Sequence, residues 1–347
     1  QKEDENHLLT FKKKWENSLI ELKGNKEISF ALKYSVYHLL ILGDEYRNNS
    51  IPARGVSGQV YKGAIFWDTE MFMMPFYNLT NPHISRKLIE YRIKTLPGAI
   101  SKAKEFGYQG AFYAWESQED GLERCSKYNV TDPQTGEPIR TYFNEKQIHI
   151  DGAIVHAIDQ YVLTTGDISI LSDGGLSIIK ECAKFYMSYS KKESDGLYHL
   201  NDVIGPDEYH ERINDDAYTN YMAVETYKKA KKYLPIEDSM IPLLDDYVNH
   251  SYLPLPNEEG IIEQFNGYFE LEDAYPNNLL SRLRFPNEYW GGENGVATKT
   301  KVIKQADVVA LLSTLDIFNA DIEKKNYDYY EPHTEHGFSL SSSMHSI

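Results

Sequence analysis

Glu208 stands in the run Gly205-Pro206-Asp207-Glu208-Tyr209-His210-Glu211, where a rigid Gly-Pro turn presents one carboxylate between two others. Like charges at such spacing push a carboxyl group's pKa up, which is what a general acid working near neutrality needs. The plainer reading is a capping and salt-bridging loop, since Asn214-Asp215-Asp216 caps the next helical pattern. Two aromatic–carboxylate pairs accompany it. Trp67-Asp68 lies in the glycine-bearing segment Ala53–Glu70, and Trp115-Glu116 in Phe112–Ser117. An indole can stack on the C–H face of a sugar ring while the adjacent carboxylate accepts two hydroxyl hydrogen bonds. Asp68 also stands where a helix N-cap would, so a buried Trp beside a capping Asp explains the first pair equally well.

Three further segments carry polar chemistry. His149 closes the aromatic-rich stretch Thr141–Ile150 and precedes a helical pattern. Lys304-Gln305 follows the loop Tyr289-Trp290-Gly291-Gly292-Glu293. Near the end, Glu331, Glu335, His336, Ser339 and Ser341 crowd the start of a last helix. Serine hydroxyls and free backbone N–H groups at a helix start suit an anion, and His336 and Lys304 add positive charge. Taken alone, this stretch reads as a serine-rich N-cap.

Composition narrows the partners. The net charge is −16, with 52 acidic against 36 basic residues, so a nucleic-acid partner is excluded. The longest apolar stretch, Val36–Leu42, is interrupted by His38 and far shorter than the ~20 residues of a membrane span. Cys125 and Cys182 form neither a metal-ligand spacing nor a disulfide framework, and the histidines are scattered, so no metal site is indicated. Reduced cysteines suit the cytoplasm, which is the expected location. Aromatic residues make up 13% of the chain, many in turn-rich segments; that suits sugar binding as readily as a Tyr-rich core.

The apolar spacing that must position these residues is helical. It predicts helices over 7–23, 29–42, 69–79, 83–106, 149–165, 176–190, 216–233, 238–250 and 302–319, and a last one beginning near Ser341. The second of these is nearly all apolar, as an inner, buried helix would be. Long connections of Asn48–Asp68, Gly107–Gln147, Tyr198–Asp215 and Tyr252–Lys301 separate them, and such loops are more often functional than not. The pattern predicts an all-α toroid of helical hairpins. Residues 1–24 form a helical lead-in and 25–347 one domain, whose open last helix leaves the ring incomplete.

In this order, Phe66-Trp67-Asp68-Thr69-Glu70, Gly205–Glu211, Lys304-Gln305-Ala306-Asp307 and the Ser/His-rich end resemble the disaccharide phosphorylases of glycoside hydrolase family 65. The resemblance runs from about Ile28 to Ile347. It implies an (α/α)6 barrel and phosphorolysis of an α-linked glucosyl disaccharide with inversion, giving β-glucose 1-phosphate and a free sugar. It further implies that Glu208 is the general acid; Glu211 is the less favoured candidate. Trp67, Asp68, Trp115, Glu116 and His149 would hold sugar. Lys304 and Gln305 would bind between glucosyl unit and phosphate, and His336, Ser339 and Ser341 would cradle phosphate.

Inorganic phosphate is then a co-substrate and no cofactor is required. A homodimer is expected by analogy. One departure stands out: relatives often carry an Asp-Ser pair after the histidine, where this chain has Gly337-Phe338. The run Arg140–His149 looks closer to the nigerose and kojibiose branch than to maltose, with trehalose a further option. Two rivals stay open. One is a hydrolase using Glu335 or Glu331 as base, and the other is a non-catalytic carbohydrate-binding domain.

Overall fold

The computed structural model describes every residue except Gln1, Val56, Ser57, Gln59, Phe338 and Ile347, and the side chains of Lys2–Asp4, Ser339 and Leu340 are likewise outside the described set. Its helices are α1 (Lys2–Ser18), α2 (Lys26–Leu42), α3 (Met74–Thr80), α4 (Pro82–Glu105), α5 (Phe143–Lys146), α6 (His149–Thr165) and α7 (Leu176–Tyr189). They continue as α8 (Ala217–Tyr233), α9 (Ile241–His250), α10 (Pro276–Leu280), α11 (Val308–Thr314), α12 (Ala320–Tyr330) and α13 (Ser339–Met344). Two short antiparallel hairpins interrupt them: β1 (Val130–Thr131) with β2 (Pro138–Ile139), and β3 (Lys191–Lys192) with β4 (Tyr198–His199). No helix among the described residues is long and apolar enough to cross a membrane.

The helices alternate between two walls. Helix α3 packs on α6, α6 on α8, α8 on α11 and α11 on α13, which makes an inner wall; α4, α7, α9 and α12 pack behind it. This is the expected α/α toroid arrangement. Helix α6 shows why it holds: it is buried on almost every side, from His149 to Val162. Its Gly152 allows close approach to α8, because a Cβ there would stand 2.7 Å from Met222 Cβ. Gly166, at φ +73°, then ends the helix in the left-handed conformation that glycine tolerates.

Three expectations need correction. Helix α1 starts and ends earlier than predicted, at Ser18 and not at Gly24, because Ser18 Oγ is buried and accepts from Asn81 Nδ2 at 3.2 Å. Helix α2 is peripheral, not inner: only Val36 and Leu40 are buried, while Ile28, Phe30 and Tyr34 are exposed. Its start is set by Asn25, whose Oδ1 accepts from the N–H groups of Glu27 and Ile28. The single helix predicted over 302–319 is only α11, and α12 after it was not anticipated. Residues before α11 run extended, with Ile303 bridging Thr334, and Asn319 Oδ1 caps a new helix by accepting from Asp321 and Ile322.

Candidate active site

The N-terminal ends of α6, α8 and α11, with the turn leading into α3, gather at one end of the inner wall. Loops from that end line a cavity of about 760 Å³. Its wall includes Trp67, Asp68, Trp115, Glu116, Glu208, Lys304 and Gln305, so seven of the predicted residues meet in one place. Three cations (Arg54, Lys62, Lys304) face three carboxylates (Asp68, Glu116, Glu208) across it, in a chain of strongly negative net charge.

Each wall is held from behind. The loop carrying Trp67 and Asp68 is anchored by a buried ion pair: Arg92 Nε and Nη2 donate to Glu70 at 2.7 and 2.8 Å, and Nη2 also reaches the Phe66 carbonyl. Asp68 makes no side-chain cap hydrogen bond, contrary to the N-cap reading, and its carboxyl faces the cavity. Trp115 and Glu116 are fixed through Glu123, whose carboxylate accepts from the N–H groups of Trp115 (2.8 Å) and Glu116 (3.0 Å) and from Lys102 Nζ (2.7 Å). Lys62 Nζ reaches Glu116 at 3.1 Å from a backbone at φ +57°, unusual outside glycine.

The Glu208 loop is tied on three sides. Asp207 turns inward, where its carboxylate accepts from the N–H groups of Lys304 (2.8 Å) and Tyr209 (3.1 Å) and from Gln264 Nε2 (3.1 Å), and meets His210 Nδ1 at 2.5 Å. Gln305 Nε2 donates to the Pro206 carbonyl at 2.6 Å, and Tyr289 donates to the Glu208 carbonyl. Gly205 fits between two further carboxyls: a Cβ there would fall 2.4 Å from Asp216 Oδ1 and 2.5 Å from Asp307 Oδ2. The crowding expected of Asp207 does not develop, since that carboxylate points away. Glu208 itself receives Lys304 Nζ on Oε2 (2.5 Å) and Gln147 Nε2 on Oε1 (3.2 Å). Asp216 caps α8 as predicted, accepting from Thr219 N at 2.8 Å.

The remaining predicted residues stand behind the wall. His149 is fully buried, and its ring meets Trp67 edge-on at 4.7 Å; burial lowers its pKa to about 3, so it is neutral. It does not line the cavity; Trp67, which does, packs against its ring, and its Nε2 lies 3.2 Å from Gln147 Oε1. Ser341 is buried, its Oγ accepting from Ala306 N at 3.2 Å and pairing with His336 Nδ1 at 3.0 Å. His336 Nε2 in turn faces Glu331 at 3.2 Å. Of this segment Gly337 lines the cavity, and the Ser339 side chain lies outside the described residues. Histidine spacing indicated no metal site, yet Glu331, His336 and His345 bring one potential ligand atom each within 4.8 Å of one another. Glu331 lies against both imidazoles, and burial lowers the pKa of His345.

Arg54 and Lys62 line the cavity and Gln147 and Glu123 brace its wall, and the sequence did not single out any of the four. Arg54 and Lys62 sat inside a segment already recognised by its Trp-Asp pair. Gln147 and Glu123 gave no signal, because a neutral amide and one more loop carboxylate match no spacing rule.

Burial, above all, pushes Asp68 and Glu211 up to about 7 each; Glu208 adds to both, while backbone N–H contacts oppose it. Both folded values exceed the unfolded carboxylate value near 4. The folded state therefore binds the extra proton, and its contribution to stability is complete below pH ~4 and lost as pH rises through 7. Urea unfolding at pH 5 and pH 8 is expected to show a smaller loss of stability in Asp68→Asn and Glu211→Gln than in the parent. Equal losses in all three proteins would contradict the assignment.

Residues 33–347 match the family described as glycosyl hydrolase family 65 central catalytic domain. A nigerose phosphorylase from Lachnoclostridium phytofermentans is 48% identical over 99% of this chain and 48% of that protein. A 1,2-alpha-glucosylglycerol phosphorylase from Bacillus selenitireducens is 38% identical over 96% of this chain and 46% of its own length. The chain thus spans about half the length of the curated relatives it matches. A solved structure from the human microbiome, assigned as a kojibiose phosphorylase, superposes with a TM-score of 0.86 at 24% identity, over 97% of this chain and 45% of that one. That likeness shows the fold, an (α/α)6 barrel. With the family match extending over most of its length, the chain belongs to glycosyl hydrolase family 65.

Proposed function

We propose that the protein is a phosphorylase that cleaves an α-linked glucosyl disaccharide with inversion, releasing β-glucose 1-phosphate and a free sugar. The observation that carries this reading is Glu208, mounted between Gln147 and Lys304 and facing a cavity shared with Asp68. Asp68 with the Trp67 and Trp115 rings holds the glucosyl unit. Phosphate enters as a dianion and recruits Lys304, with Gln305 beside it. Glu208 gives its proton to the glycosidic oxygen as the bond to C1 breaks. A phosphate oxygen forms the new bond on the opposite face. The phosphate's remaining proton returns to solvent, and Glu208 is reprotonated.

The hydrolase rival would need a carboxylate base opposite the acid. The candidates for it, Glu331 and Glu335, are engaged elsewhere: Glu331 with two imidazoles and Glu335 with Tyr209 Oη at 3.1 Å, and neither lines the cavity. A non-catalytic binding domain would have no use for Glu208 mounted in this way. The acceptor end is formed by Arg54, Lys62, Asn129 and Val130, with Glu116 held beside them by Lys62, and the similarity to a nigerose phosphorylase favours nigerose, then kojibiose, as substrate. Within this reading residues 25–347 are the catalytic domain and 1–24 a lead-in. The enzyme works without a cofactor, as a cytoplasmic homodimer.

A panel of α-linked diglucosides, incubated with and without inorganic phosphate, tests the reading. Phosphate-dependent release of β-glucose 1-phosphate supports it, and equal glucose release without phosphate would overturn it. Lys304→Ala is expected to raise the KM for phosphate by about 10- to 100-fold, the worth of one charge-assisted contact. Initial rates against phosphate concentration check this.

A further inference from the structure

We propose that Gln147 and His149 form a positioning relay that fixes which oxygen of Glu208 carries the reacting proton; the proposal rests on the reading of Glu208 as the general acid. The relay starts at the base of α6. His149 is wedged between Trp67 and Tyr218, with ring centroids 4.7 and 5.7 Å away, so its ring cannot turn. Burial keeps it neutral, leaving one N–H to place. Nδ1 has no hydrogen-bond partner, whereas Nε2 lies 3.2 Å from Gln147 Oε1. A buried N–H without an acceptor is rarer in proteins than a bare acceptor, so the proton sits on Nε2 and is donated to Gln147.

The consequence passes along the amide. With its carbonyl engaged by His149, Gln147 presents only its NH2 group to Glu208, at 3.2 Å from Oε1. Oε1 therefore remains the acceptor of Gln147 wherever Lys304 stands. Oε2, which accepts from Lys304 at 2.5 Å, is the oxygen that becomes available to the acid proton once Lys304 moves to phosphate. Gln147 itself has no freedom to drift: it is buried, and the adjacent Lys146 carbonyl accepts from Ile204 N of the acid loop at 3.0 Å. Lys304 thus covers the protonation site until phosphate draws it away. The acid becomes armed only when the nucleophile is present, which suppresses unproductive cleavage.

The test compares two substrates in the full-length protein. A natural disaccharide needs its leaving oxygen protonated, whereas α-glucosyl fluoride leaves without a proton, so a defect in acid delivery shows on the first and shrinks on the second. Gln147→Met keeps the shape and removes both hydrogen bonds. It is expected to lower kcat on the disaccharide by up to ~100-fold, as for a misplaced reacting group, with phosphate KM within about two-fold and a much smaller loss on the fluoride. His149→Gln, which keeps an N–H where Nε2 stood, should retain most activity, while His149→Leu should behave like Gln147→Met. Unchanged disaccharide turnover in Gln147→Met, or equal losses on both substrates while Glu208→Gln still discriminates them, would overturn the relay. Equal losses in Glu208→Gln itself would instead remove the acid reading.

Discussion

Replacing Glu208 with Gln is expected to lower phosphorolytic turnover by about 10²- to 10⁴-fold, the range that general acid catalysis contributes. The amide occupies the same volume between Lys304 and Gln147, so the loop and the cavity should stay intact. One amide oxygen can still accept from Lys304 or from Gln147, and the other contact becomes donor against donor. Binding should therefore weaken far less than turnover falls, and calorimetric titration with phosphate or glucose measures this directly. A variant that retains parental turnover would remove Glu208 from the mechanism. The stability of the variant, measured alongside, separates a catalytic loss from misfolding.

The second large effect falls on stability. Arg92→Ala is expected to cost about 3–5 kcal/mol, because it leaves the Glu70 carboxylate buried without its partner. Arg92 and Glu70 are both buried almost completely, and Arg92 also holds the Phe66 carbonyl, so the loss reaches Trp67 and Asp68 directly. Replacing both members with apolar residues of similar volume removes the unpaired charge, and the double variant should recover much of the loss. Denaturant unfolding of the two single variants and the double variant tests this. A double variant as unstable as Arg92→Ala would mean that the backbone contact to Phe66 outweighs the ion pair.

Much of the site was legible because its residues occur in pairs of distinctive type. Trp67-Asp68, Trp115-Glu116 and Lys304-Gln305 each combine side chains that a plain loop rarely needs together, and all of them reach the cavity. His149 misled for a definite reason. A histidine at the start of a helix can turn toward either the loops or the core, and only the rings of Trp67 and Tyr218 decide between them. His336 and Ser341 were read as direct phosphate contacts because both are polar beside a helix start. In the structure they pair with each other at 3.0 Å, and Gly337 beside them lines the cavity. Helical periodicity located the inner wall well but failed at α2 and at 302–319. An apolar helix carries no mark of whether a neighbour covers it, and the short extended run through Ile303 is set by pairing with Thr334, a partner remote in sequence.

The cavity's two ends are supported very differently, and that governs how such a protein can diversify. The floor around Glu208 is cross-braced by Asp207, Gln147, Gln305 and Tyr289, so almost any replacement there disturbs several neighbours at once. The rim at Arg54, Lys62, Asn129 and Val130 hangs from a short hairpin and a surface loop, with Lys62 largely open to solvent. The rim, which the proposed function assigns to the departing sugar, is thus the part of the cavity that tolerates replacement. On that reading, a laboratory library confined to those four rim positions should yield altered sugar preference far more often than dead protein.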